Sequence, residues 1–337
     1  MPSDRALQTA PAKASDDGRT FLTDRSAKVF VAGHRGMVGS AVHRRLAALG
    51  FTNIVGRTRA ELDLASQPAV DKFFAAERPR YVIVAAGKVG GLHASSAAPA
   101  EFITENLRIT TNVLVAARRC FTVRKLLFLA SSVIYAVDAS QPTPESALLS
   151  GPPAPGNEWY AIPKIVGIKM CQAYRAERAM DAIAATPNNL YGPRHPFPSE
   201  SSHVIPALIR RFHHAKVTGA PEVVVWGSGA ALREFTHVDD LADAVLLLME
   251  KYSGDEHVNV GSGREVTVRE LAETVREVVG YEGRIVWDAS RPDGVKRRLL
   301  DSSKMRALGW QPKVQLRDGL EDLYKCYLRG GLTNSKA

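Results

Sequence analysis

Short runs of consecutive apolar residues, alternating with stretches of helical spacing, are what most constrain this chain. Residues 28–32 (KVFVA), 81–86 (YVIVAA) and 125–130 (KLLFLA) are such runs, and another starts at 53–55. Between them Val38, Val42 and Leu46 share one helical face, and residues 66–76 and 102–119 repeat the period. A strand with no polar alternation is buried on both faces. Such strands alternating with helices predict an α/β, doubly wound parallel sheet with right-handed crossovers. The second half is punctuated by Pro and Gly at 151–156, 191–202 and 291–294. It carries a helical pattern at 204–215, a strand at Glu222–Trp226, and an HVNV run at 257–260 that could return to the first sheet. Thr267 then caps a helix with apolar residues at Val268, Leu271, Ala272, Val275, Val278 and Val279. The expected organisation is a disordered tail over 1–26, a nucleotide-binding domain over 27–190, and a smaller, interleaved C-terminal lobe over 191–337 that contributes part of itself to the main sheet.

Composition narrows the function classes. Cys120, Cys171 and Cys326 form no CxxC pair, and their number is odd. That pattern points to a reducing compartment, with a cytoplasmic location expected, and away from a disulfide framework or a structural zinc site. No apolar run approaches the roughly 18 residues that would span a membrane. The first residues lack the apolar core of a signal peptide and contain Asp4, Asp16 and Asp17. The net charge is +9. The arginines are scattered and no nucleic-acid recognition motif is visible, so the charge better suits polyphosphate ligands.

Gly33-His34-Arg35-Gly36-Met37-Val38-Gly39 follows the first strand and opens the first helix. In that context the first glycine permits the tight turn, the second lets a pyrophosphate approach the backbone, and the third allows close helix–strand packing. This is a Rossmann-type dinucleotide site, spaced GxxGxxG. An acid at the end of the second strand would bind a ribose 2′-hydroxyl. Here Arg57 and Arg59 stand there instead, which suits the 2′-phosphate of NADP(H). Arg57 is the better placed, and either arginine could instead be a solvated surface charge.

Tyr160 and Lys164 form a YxxxK pair, and i and i+4 share a helix face. A neighbouring ammonium is expected to lower the phenol pKa from about 10. Tyr160 can then give a proton to a carbonyl oxygen as hydride reaches its carbon. Ser131, ahead of Ser132 after the fourth strand, is the expected hydrogen-bond partner of that carbonyl. The serines could also simply end the strand. Asn106 is either an active-site amide or a structural one.

The stretches FVAGHRGMVGSA, KVGG at 88–91, NEWYA, SHVIPALIRRFH, VVVWGSG, REFTHVDDLADA, HVNVGSG and RPDG resemble the GDP-L-fucose synthases, epimerase/reductases of the extended short-chain dehydrogenase/reductase family. The resemblance runs from residue 27 to about 330. It implies NADP(H) as cofactor, a substrate similar to GDP-4-keto-6-deoxy-D-mannose, epimerisation at C3 and C5, 4-keto reduction, and a homodimer formed through helices of the Rossmann domain. It implies cofactor contacts from Asp63, Leu64, Lys164, Pro187, Asn188, Asn189, Leu190 and His203. It implies proton exchange at His203, and GDP-sugar contacts from Arg211, Trp226, Arg233 and Asp293. Plain readings stand beside these: His203 as a helix cap, Trp226 as core, Arg210 or Arg211 as a solvated charge, and His237 as structural. The family pattern SSCIYP reads Ser131-Ser132-Val133-Ile134-Tyr135-Ala136 here, so Val133 replaces the proton-exchanging cysteine. Gly87, residues 95–98, Asn188 and Pro163 also depart from the family pattern. Two alternatives follow: a sugar-nucleotide 4-reductase without epimerase activity, or a non-catalytic NADP-binding paralogue.

Overall fold

A computed structural model describes residues 18–177, 180–197, 203–291 and 293–330. Its strands in chain order are β1 (Val29–Ala32), β2 (Ile54–Val55), β3 (Tyr81–Val84), β4 (Lys125–Leu129), β5 (Asp181–Pro187), β6 (Asn189–Tyr191), β7 (Glu222–Trp226), β8 (Leu232–His237), β9 (Val258–Val260), β10 (Glu265–Thr267), β11 (Arg284–Asp288) and β12 (Arg297–Arg298). The helices are α1 (Met37–Ala48), α2 (Gln67–Glu77), α3 (Leu92–Ala97), α4 (Pro99–Arg119), α5 (Glu158–Ala176), α6 (Val204–Thr218), α7 (Val238–Lys251), α8 (Val268–Val279), α9 (Ser303–Ala307) and α10 (Leu316–Leu328).

The main sheet has six strands in the order β2-β1-β3-β4-β5-β9, and every pair in it is parallel. Period-two alternation sends Val29 and Val31 of β1 into one core, with Val42 and Leu46 of α1 and Leu241 and Val245 of α7. Phe30 and Ala32 point the other way, into a core with Phe73, Val113 and Ile168 from α2, α4 and α5. The strand order reverses between β1 and β3, and a ligand crevice opens beyond the carboxyl ends of strands at such a point.

The second lobe is built from β8 flanked by β10 and β12, with β6 also pairing with β8. A separate parallel pair joins β7 to β11. Helices α6 and α8 close over it through Ile205, Leu208, Phe212, Leu271 and Val275. Thr267 caps α8 in a reciprocal capping box with Glu270.

The packed chain begins earlier than residue 27, against the expected extent of the tail. Phe21 lies edge-on to Tyr81 at 4.9 Å and against Phe51 at 5.1 Å. Asp24 is buried in an ion pair with Arg80 at 2.8 Å. One aromatic among polar residues has no period to reveal it, but it covers the end of β3. Residues 1–17 of that tail lie outside the described residues.

Candidate active site

The glycine turn is shaped by contact. Gly33 has φ +81°, a left-handed conformation that favours glycine, and a Cβ there would lie 2.9 Å from the Ala85 backbone. A Cβ on Gly39 would lie 2.1 Å from the Gly33 carbonyl oxygen. Gly36 differs: its Cβ would meet that oxygen at an ordinary 3.4 Å. The protein itself therefore has no need of a glycine at 36, and the open approach there fits a pyrophosphate. Helix α1 starts at that point with no side-chain cap and no acid in its first turn. Its first N–H groups are thus free for an anion.

The two arginines after β2 are already engaged. Arg57 donates to Glu77 at 2.6 Å and lies 5.7 Å over the Phe73 ring. Arg59 donates to Glu105 at 2.8 Å. His34 packs against Gly56, and its buried Nδ1 has no hydrogen-bond partner among the described residues. Asp63 accepts from the Ala65 amide at 3.0 Å, and the Leu64 carbonyl accepts from Asn112. An NADP(H), were these residues to hold it, would supply a hydride donor or acceptor.

β4 ends at Leu129, and the chain enters a 3-10 turn, Ser132–Ile134, with Ser131 ahead of it. Ser132 and Ile134 turn inward, while Ser131 and Val133 stay partly open. Helix α5 packs against this turn. It starts at Glu158, so Pro163 falls in its second turn rather than its first, and the Trp159 carbonyl loses its i+4 partner. The helix nevertheless continues, and Lys164 Nζ reaches 5.5 Å from the Tyr160 ring centroid. The same ammonium donates to the Leu129 carbonyl at 2.9 Å and lies 5.0 Å over Phe128.

The expected electrostatics are corrected here. Burial pushes the Tyr160 phenol up to about 12 and the Lys164 amine down to about 8. The ammonium sits against the ring face and bonds a carbonyl, so loss of hydration outweighs its pull on the phenol. A phenol held protonated is a proton donor, the form that reduction of a ketone needs.

Asn106 is a structural clamp: its Oδ1 accepts from the Lys88 amide at 2.9 Å, and its Nδ2 donates to the Lys88 and Phe102 carbonyls. Gly87 fits under it, because a Cβ there would lie 2.9 Å from Asn106 Oδ1 and 3.7 Å from Lys164 Nζ. Pro187 ends β5, the Asn188 side chain is buried beside Glu234, and Asn189 donates to the Glu234 carbonyl at 3.1 Å. Leu190 lies in β6.

The second lobe carries a charged edge. Trp226 is 58% exposed, so it is no core residue, and Arg211 and Arg291 stand 5.5 and 5.1 Å from its ring centroid. Asp293 accepts from the Ser228 amide and hydroxyl, both at 2.7 Å. Arg233 donates to the Asp293 carbonyl at 3.4 Å. Arg211, Trp226, Arg233 and Asp293 thus line one edge. His203 precedes α6 without making a side-chain cap bond. His237 does cap, accepting from the Asp239 amide at 3.3 Å, and is structural. Arg298 is a residue that the sequence did not single out. It is half-buried, and its Nη1 donates to the Ser132 carbonyl at 3.3 Å, tying the second lobe to the 3-10 turn. Its only signal was a place in the arginine pair after RPDG. No cluster of metal-binding side chains occurs among the described residues.

Residues 29–261 match the NAD dependent epimerase/dehydratase family. A protein of Oryza sativa subsp. japonica, provisionally named GDP-L-fucose synthase 2, is 74% identical over 337 residues, covering 98% of this chain and 97% of its own length. The GDP-L-fucose synthase of Escherichia coli K12 is 49% identical over 310 residues, covering 89% of this chain and 96% of its own. A solved structure of a GDP-mannoheptose C4 reductase from Campylobacter jejuni, with NADP bound, superposes with a TM-score of 0.82 at 36% identity, over 90% of this chain and 99% of that one.

Proposed function

This chain belongs to the NAD dependent epimerase/dehydratase family, among the GDP-L-fucose synthases, and we propose that it converts GDP-4-keto-6-deoxy-D-mannose to GDP-L-fucose with NADPH. The observation that carries the reading is Tyr160 beside Lys164, with the lysine anchored on the carbonyl that ends β4. Tyr160 gives its proton to the sugar O4 as C4 becomes tetrahedral, and the Ser131 hydroxyl holds that oxygen. Lys164 orients the phenol and the cofactor ribose. Before reduction the C4 ketone acidifies the C3 and C5 protons, and His203 exchanges them. Arg211 and Arg233 hold the diphosphate, Asp293 supports Arg233, and Trp226 stacks on guanine or sugar. Residues 27–190 carry NADP(H), with contacts from Gly33 to Gly39, Arg57, Asp63 and Pro187 to Leu190, and the second lobe carries the GDP-sugar. A homodimer is part of the reading and is tested by light scattering. Free cysteines at 120, 171 and 326 support a reducing compartment, and no described helix is long and apolar enough to cross a membrane.

Val133 favours a second reading, 4-keto reduction with weak or absent epimerisation, because valine carries no proton. The test is NADPH oxidation by the purified chain with GDP-4-keto-6-deoxy-D-mannose, followed by product analysis. Turnover should fall about 10²–10⁴-fold in Tyr160→Phe. Binding without oxidation in the unchanged chain removes both readings. Deuterium entry from solvent at C3 and C5 separates the two, and Val133→Cys should raise it. Exchange at both carbons that is as fast before that change as after it removes the second.

A further inference from the structure

The turn after β6 brings a second imidazole beside His203. The His195 amide donates to the Gly192 carbonyl at 3.1 Å, and its side chain folds inward to 3% exposure. Its ring centroid lies 5.5 Å from that of His203, with the planes inclined by 56°. Its Nδ1 is buried and has no hydrogen-bond partner among the described residues. Burial first, and the nearness of His203 second, hold its pKa down at about 3, so the ring is neutral at pH 7.

A neutral imidazole has one N–H and one lone pair. Leaving either buried without a partner is unfavourable. A linear N–H···N bond between two imidazoles sets their centroids about 5 Å apart. The 5.5 Å between the two ring centroids is close to that spacing, and such a bond would satisfy the stranded nitrogen. His203 gains by it as well. The proton position on an imidazole is set by the bond that its far nitrogen makes.

We propose that His195 is a positioning residue: it hydrogen-bonds His203 and fixes which His203 nitrogen carries the proton and which presents a lone pair to the sugar. The chemical consequence rests on the reading of His203 as the exchange base. The free nitrogen takes the proton from C3 or C5, and the C–H electron pair passes into the enolate of the C4 ketone. The other nitrogen keeps its proton throughout, held by His195. With Val133 bringing no ionisable group to the turn after β4, the orientation of this one imidazole governs the exchange.

The proton position can be read without any substrate. Histidine ¹⁵N spectra of the full chain, with His203 assigned through His203→Gln, should show one neutral tautomer of His203. His195→Leu should give a mixture, and His195→Asn, whose amide still bonds, should restore one form. In the exchange assay His195→Leu should lower kcat for deuterium entry at C3 and C5 about 10- to 100-fold, leave KM within about twofold, and be largely rescued in His195→Asn. An unchanged His203 tautomer in His195→Leu overturns the proposal whatever the substrate. If that variant fails to fold, the nitrogen–nitrogen coupling between the two rings of the unchanged chain decides: its presence supports the bond, and its absence overturns it. A tautomer that responds while no deuterium enters the unchanged chain supports His195 in this role and removes His203 as the exchange base.

Discussion

The glycine turn after β1 and the edge around Trp226 treat space in opposite ways. At the turn the protein is packed against itself: a single added carbon on Gly39 would overlap the Gly33 carbonyl at 2.1 Å. At the edge a large aromatic stands 58% exposed, with guanidinium groups beside it. The first region is specified by shape, and the second leaves an aromatic face and charge exposed. Changes at Gly33 and Gly39 should therefore register in the fold, and changes at the edge in binding alone.

The sharpest attempt to break that contrast sits within the turn. Gly39→Ala should cost about 3 kcal/mol, read as a Tm several degrees lower. Gly36→Ala should melt with the unchanged protein yet lose about tenfold in NADPH affinity, roughly 1.4 kcal/mol, by calorimetry. Equal melting losses in the two variants would mean that position 36 too is shaped by the protein alone. At the edge, Trp226→Ala should raise KM for the GDP-sugar about tenfold, as a lost stacking contact would, with Tm unmoved. A lowered Tm there would make Trp226 a packing residue after all.

The smallest effect is with pH. An amine held down at about 8 carries its charge below that pH and loses it above. Reduction should hence fall as pH rises through about 8, by a few-fold at pH 8.5, while Tyr160 stays protonated. The sign on stability is the reverse. The folded amine titrates below the unfolded value of 10.5, so its burial cost is present in full below about pH 8 and fades as pH rises toward 10.5. A rate that is flat to pH 9 would show that the ammonium charge is not needed.

Much of the first lobe was legible because burial on both faces leaves a composition mark. β1 and β3 are four consecutive buried apolar residues each, and β4 is an almost wholly apolar run. β5 left no such mark: DAIAATP is alanine-rich, and alanine favours helix, although the strand is buried between β4 and β9. The sequence motif put Tyr160 and Lys164 on one helix face, but not the direction of their pKa shifts, since those depend on how deeply β4 and α5 bury them. Asn106 was undecided in the sequence because a clamp on Lys88 and a contact to substrate use the same amide. His195 left no trace at all, because its nearness to His203 is made by a turn rather than by spacing.

The pairing of β9 with β5 sets a schedule for making the protein. Val258–Val260 lies beside Ala185–Pro187 in the finished sheet, with the whole first part of the second lobe between them in the chain. A ribosome adding about 5–20 residues per second delivers that sixth strand several seconds after the fifth. Through that interval the open side of β5 is an unfilled pairing edge. Such an edge invites partners from neighbouring nascent chains. Chaperone dependence during synthesis should accordingly concentrate in the window between emergence of β5 and emergence of β9.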